Sequence, residues 1–282
     1  MSGPAADRPE PPLVDRPEPL LVDRSGPLLV ERRGPVLLLT LHRPAVRNAL
    51  NVATRQALMA ALTEAEGDDA VVAVVLTGTD PAFTGGVDLT EALGPGPKPR
   101  GVRSLNPAAT LRAMTKPVVA AVNGTCVTGG LEVLLSCSFA VASERARFAD
   151  THARVGLVPG WGLSALLPRA VGTRWARRLT ATGEQIDAAT ALRIGLVTEV
   201  VAHKAVVTRA VELAAATART SRRALAAAWE LYAEGEGRSL ADALAREAGT
   251  ARHWRVDPQE AQDRFTAVID TARPAGTARP PA

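Results

Sequence analysis

The chain has 282 residues, enough for one large domain or two small ones and for a sizeable core. Its 46% apolar and 22% charged residues are the balance of an ordinary globular protein, and no window approaches the roughly 20 unbroken apolar residues that a membrane span needs. The net charge of +4 comes from arginines scattered among acids, lysine occurring only at Lys98, Lys116 and Lys204. With 3% aromatics there is no platform for stacking bases, so a nucleic-acid partner is not expected and a small anionic ligand stays open.

The first residues form an octad repeat. Asp7-Arg8-Pro9-Glu10-Pro11-Pro12-Leu13-Val14 is followed by three related copies that begin at Asp15, Asp23 and Glu31. Solenoid repeats are ~20 residues or longer, and a proline in each copy opposes helix and central strand. Residues 1–26 are therefore read as an extended, disordered leader without catalytic role. They lack the apolar stretch of a signal peptide, so a cytoplasmic chain is expected.

From Leu28 the pattern becomes α/β. Branched apolar runs predict strands at Leu28–Glu31, Val36–His42, Val71–Thr77, Pro117–Val122 and Phe139–Ser143. A helix is predicted over Val52–Glu66, capped by Asn51 and stopped by Gly67, and a second from Gly129-Gly130 towards Ser138. The Pro/Gly-rich stretch Gly94–Arg103 reads as a mobile surface loop. Residues 27–203 are taken as the core. Residues 204–274 are taken as a helical region of about four helices, divided at Gly235, Gly237, Gly249 and Pro258. Residues 275–282 are taken as a frayed tail. Cys126 and Cys137 have neither disulfide-framework nor metal spacing, and read as small buried residues.

Three segments could carry chemistry. In Thr84-Gly85-Gly86-Val87-Asp88-Leu89 the paired glycines let a ligand approach the main chain and let an amide point outward, although a plain tight turn has the same pattern. In Asn123-Gly124-Thr125-Cys126-Val127-Thr128-Gly129-Gly130-Leu131-Glu132 a strand runs through a loop into a helix. The first amides of that helix lack partners, and Gly129 can donate to a developing oxyanion without a side chain in the way. Glu132 falls on the first turn, either beside that spot or simply complementing the helix dipole. Asp150-Thr151-His152-Ala153-Arg154 brings an imidazole next to a carboxylate, for proton transfer or for structure.

Together these motifs resemble the crotonase (enoyl-CoA hydratase/isomerase) family. The resemblance is carried in order by Arg43-Pro44-Ala45-Val46-Arg47-Asn48-Ala49-Leu50, Gly85-Gly86-Val87-Asp88-Leu89, Ala121-Val122-Asn123-Gly124 with Gly129-Gly130, Pro159-Gly160-Trp161-Gly162 and Gly195-Leu196-Val197. It spans roughly Leu28 to Pro274. It implies a spiral of ββα units with a C-terminal helical region that supports trimers, often paired into hexamers. It also implies an acyl-CoA substrate and no separate cofactor or metal.

By the same resemblance, the amides of Val87 and Gly129 are the oxyanion donors. Arg47, Ala49, Gly85, Asp88, Leu89 and Gly130 lie where the family contacts substrate, with Arg273 a further phosphate contact. Hydratases of the family use two glutamates. The first falls on Glu132; at the second this chain has His152, a departure compatible with altered hydration or with isomerisation. Reversible hydration of a trans-2-enoyl-CoA is the leading expectation. The alternatives are an isomerase or other CoA-enolate enzyme, and a CoA-binding homologue that has lost catalysis.

Overall fold

The computed structural model describes residues 26–94 and 105–272. The octad leader up to residue 25, residues 95–104 of the Pro/Gly-rich segment, Arg273 and the tail lie outside the described residues. The chain forms two compact units, Met1–Thr217 and Ala218–Ala282.

In the first unit, β1 (Leu28–Arg33) and β2 (Val36–Leu41) make an antiparallel hairpin. To β2 are added in parallel β3 (Ala73–Gly78), β5 (Val118–Val122), β7 (Phe139–Ser143) and β10 (Glu199–Val201), giving the order β1-β2-β3-β5-β7-β10. A parallel sheet covered on both faces needs strands that are apolar on both faces, and every residue of β3 and β5 is buried. Successive side chains point to opposite faces. Val74, Leu76, Val118 and Ala120 accordingly join one core with Leu58, Leu62 and Ala65 of α1 (Val52–Gly67). Ala73, Val75, Val119 and Ala121 join another with Val206, Ala210 and Ala214 of α7 (Val206–Ala216). Each buried Val or Leu contributes about 1.5–3 kcal/mol.

The side chain of Asn51 accepts the amide of Thr54 at 2.9 Å and caps α1. At its other end the fully buried Lys116 donates to the carbonyls of Ala65 and Asp68, both at 2.6 Å, so carbonyls that the helix leaves open are satisfied.

A second sheet has the order β4-β6-β8-β9: β4 (Ala82–Thr84), β6 (Thr125–Val127), β8 (Arg147–Ala149) and β9 (Ile186–Asp187). The pairs β3/β4, β5/β6 and β7/β8 each give one strand to either sheet. No sequence pattern announces this second sheet, because strands of two or three residues are too short to display alternation. The helix α5 (Leu163–Thr182) is equally hidden: Pro168 interrupts it, and Gly172, at φ +76°, breaks it into two.

The second unit holds α8 (Arg222–Gly235), α9 (Leu240–His253) and α10 (Pro258–Ala272). Gly235 and Gly237 separate α8 from α9, and Pro258 opens α10, as expected. Gly249, expected to be a divider, lies inside α9. The units divide after Thr217 and not at residue 203, because α7 buries its apolar stripe on the main sheet. No helix of the described residues is long and apolar enough to cross a membrane.

Candidate active site

Asn48 fixes the first turn. It is fully buried, and its Nδ2 donates to the carbonyls of Thr79 and Ala82, both at 2.7 Å. Asn123 reaches the same turn, donating to Asp80 Oδ1 at 2.8 Å. Gly124 must lack a side chain there, since a β-carbon would lie 2.1 Å from the Pro81 carbonyl. The strand segment that follows is held against residues 47–50. Gly85 N donates to Arg47 O, Leu50 N to Gly86 O and Asp88 N to Leu50 O. This register leaves the Val87 amide without a protein acceptor among the described residues.

The second turn comes from the β6–α4 junction, where α4 is Gly129–Leu135. Thr128 precedes it at φ +56°, rare for a β-branched residue. As the first residue of the helix, Gly129 has an amide with no acceptor among the described residues. The two turns meet. A β-carbon on Gly129 would lie 3.1 Å from Val87 N, and one on Gly86 would lie 2.7 Å from Gly129 N. Gly130 faces the other way: a β-carbon there would strike the Thr84 carbonyl at 2.6 Å. It serves the packing of α4 on β4.

Glu132 is buried on α4, its side chain 2% exposed. Its Oε1 accepts the amides of Trp161 (2.6 Å) and Leu163 (3.3 Å), which fixes the carboxylate and the Pro159–Leu163 turn together. Its Oε2 lies 3.5 Å from His152 Nε2. On the far side of the imidazole, Nδ1 lies 2.8 Å from Asp150 Oδ1. Asp150 Oδ1 also accepts the His152 amide, and Oδ2 accepts the Thr180 hydroxyl of α5 at 2.7 Å. Burial alone would push the imidazole down. The hydrogen bond to Asp150 and the close approach and charge of Glu132 outweigh it and raise His152 to about 9. Burial likewise opposes ionisation of Asp150, but its bonds from His152 and Thr180 hold that carboxyl below the usual range.

These groups border a cavity of about 300 Å³, lined by Val87, Glu132 and His152 together with Gly85, Leu89, Leu93, Val155, Leu157, Val158 and Trp161. Apolar walls around a few polar groups suit an acyl chain with a reactive carbonyl. The Arg55 guanidinium lies 6.0 Å from the centroid of the Trp161 ring, and Arg112 donates to the Trp161 backbone carbonyl at 2.8 Å, so ring and backbone each have a cationic neighbour.

Of the other expected contacts, Gly85 and Leu89 line the cavity, whereas Ala49, Gly129 and Gly130 are not among its lining residues. Ala49 O accepts from Arg43. Arg47 is exposed at φ +52°. The Asp88 carboxylate pairs with Arg43 at 2.8 Å and caps α2 (Leu89–Leu93), which draws its pKa down. Sequence reasoning missed Thr180, which is thirty residues from Asp150 and carries no local signal, and Arg112. Burial raises both thiols, Cys126 strongly and Cys137 to about 12, so neither is a ready nucleophile.

A layered α/β fold with an apolar cavity lined by Val87, Glu132 and His152, and with Gly129 packed against the Val87 amide, has the groups that an enzyme of acyl-thioester chemistry needs. Residues 31–265 match the family model "Enoyl-CoA hydratase/isomerase", and the chain belongs to that family, the crotonase family. It is 41% identical over 169 residues to a probable enoyl-CoA hydratase of Rhizobium meliloti, covering 58% of this chain and 65% of that protein. It is 37% identical over 215 residues to the 2,3-dehydroadipyl-CoA hydratase of Escherichia coli, covering 74% of this chain and 83% of that one. Among solved structures, an enoyl-CoA hydratase from Mycobacterium tuberculosis superposes with a TM-score of 0.67 at 44% identity, over 80% of this chain and 98% of that chain.

Proposed function

We propose that the chain adds water reversibly to a trans-2-enoyl-CoA. The single observation that carries this reading is the close approach of Gly129 to the Val87 amide, with Val87, Glu132 and His152 lining one apolar cavity. Two donors aimed at a thioester oxygen stabilise the enolate that forms when a nucleophile adds at the β-carbon, each by about 3 kcal/mol. Glu132 serves as general base towards water, and His152 as the second acid/base at the α-carbon. Gly85 and Leu89 contact the acyl-pantetheine part of the substrate and Arg47 its phosphates. Asp88, with its carboxylate committed to Arg43, shapes this subsite and does not contact the ligand through its charge.

The alternating strand pairs are read as turns of a ββα spiral. The apolar residues that the second unit leaves exposed, among them Tyr232 (72%), Leu240 (76%) and Val268 (65%), support self-association as a trimer or a pair of trimers. Light scattering on the purified chain measures this directly.

The test of function is loss of the enoyl-thioester absorbance with crotonyl-CoA and with longer chains. Absence of turnover at every chain length, with folded protein, would defeat the hydratase reading. A second reading, isomerisation or other CoA-enolate chemistry, is favoured by one observation: an imidazole lies 3.5 Å from Glu132, at the sequence position where the family resemblance expects a second glutamate. NMR in deuterated water separates the two, since exchange at the α-carbon without net hydration belongs to the second.

A further inference from the structure

We infer that Asp150, steadied by Thr180, is a positioning residue that fixes which nitrogen of His152 carries out proton transfer in this site. The inference rests on the hydration reading above.

Every hydrogen bond of the Asp150 carboxylate serves the placement of His152. Asp150 is fully buried, and both of its oxygens are engaged, by three donors: the His152 amide (3.1 Å) and Nδ1 (2.8 Å) on Oδ1, and the Thr180 hydroxyl (2.7 Å) on Oδ2. A carboxylate can only accept, so Nδ1 must carry a hydrogen, and Nε2 is left as the nitrogen that gains and loses a proton. The bond to the backbone amide holds Asp150 at the start of the turn that presents His152. Thr180, arriving from α5, stops the carboxylate from rotating away. Nε2 then faces Glu132 Oε2 at 3.5 Å, longer than a tight hydrogen bond and short enough for a charge pair. The charged groups facing the ring are thus Glu132 from α4 and Asp150 from the end of β8, while α5 contributes the neutral Thr180. Two carboxylates around one imidazole favour its cation, in keeping with its value of about 9. Hydration by this pair starts from an imidazolium at His152 and a carboxylate at Glu132.

The proton balance closes within this pair. As the oxygen of water bonds to the β-carbon, the breaking O–H bond gives its proton to Glu132. The π electrons of the alkene move through the thioester enolate to the α-carbon, which takes the Nε2 proton. Glu132 is left protonated and His152 neutral. Passage of the Glu132 proton to Nε2 restores both, with no external acid or base.

The experiment is titration of His152 by side-chain nitrogen NMR in the full-length chain, assigned by the signal lost in His152→Gln, together with the pH profile of kcat. In Asp150→Asn the His152 midpoint is expected to fall by about 1–3 pH units. The alkaline limb of kcat should move with it at unchanged KM. Thr180→Val should shift both in the same sense and less, and it decides the matter should Asp150→Asn not fold. Midpoints and limbs unmoved in the folded variants overturn the inference. If the wild-type chain hydrates no enoyl thioester yet the variants still move the midpoint, the hydration reading fails and the positioning of His152 by Asp150 stands.

Discussion

A β-carbon built on Gly129 would come within 3.1 Å of the Val87 amide nitrogen, so only glycine at that position leaves the space between the two donors open. Gly129→Ala is expected to lower kcat by about 10²–10³-fold, the cost of disabling one oxyanion donor, with far-ultraviolet circular dichroism unchanged. Gly130→Ala is the contrast. Its β-carbon would meet the Thr84 carbonyl at 2.6 Å, so the loss there should appear in the urea midpoint.

Glu132→Gln separates charge from structure. The amide oxygen of glutamine can still accept from Trp161 N and Leu163 N, as Oε1 does now, so the Pro159–Leu163 turn should persist. What disappears is the carboxylate that takes the proton of water. Steady-state kinetics should show kcat reduced by about 10²–10⁴-fold, the usual worth of a general base, with the fold kept by circular dichroism and thermal stability lowered by loss of the charge beside His152. Full activity in the variant would remove Glu132 from the proposed mechanism.

The legible parts of this chain are those where one physical demand acts on a long enough stretch. Strands β3 and β5 declare themselves because a doubly covered parallel sheet needs unbroken apolar runs, and α1 because Asn51 caps it. Glycines 86, 124, 129 and 130 are visible as motifs, yet the reason each is glycine is a contact with a distant backbone that local pattern does not contain. The second sheet is built from two- and three-residue strands and leaves no periodic trace. Asp150 and His152 can be paired from sequence, but Thr180 and Glu132, which complete the chain of contacts, reach them only through the fold.

Stability should depend on pH through His152. Its folded value of about 9 lies above the ordinary ~6.5, so the charged imidazole contributes fully below ~6.5 and the contribution is lost as pH rises to about 9. Asp150 acts in the opposite direction: its depressed carboxyl contributes above the ordinary ~3.9 and loses that contribution as pH falls through its folded value. Melting curves between pH 6.5 and 9.5 should therefore fall more steeply for wild type than for His152→Gln, by about 2–4 °C for each kcal/mol lost. Parallel curves would mean that the imidazole is neutral in the folded chain.

Trp161 bounds the cavity where an acyl chain would extend. The residue is 9% exposed, and its ring lies against Arg55 and reaches to 3.5 Å from the β-carbon position of Gly129, so it stands beside the proposed carbonyl site. Trp161→Ala keeps the backbone amide that holds Glu132 but empties this wall. The free-energy cost is bounded by the 3–5 kcal/mol typical of buried Trp→Ala changes, and the urea midpoint should drop accordingly. The larger effect should be on selectivity. A pocket discriminates by about 10–200-fold for each methylene it accepts or rejects, so the ratio of kcat/KM for trans-2-decenoyl-CoA over crotonyl-CoA should rise at least about tenfold in the variant. If both substrates lose activity in equal proportion, the ring braces the Glu132 turn and does not set chain length. Arg112→Met, which removes the donor to Trp161 O without opening the wall, should then reproduce that uniform loss.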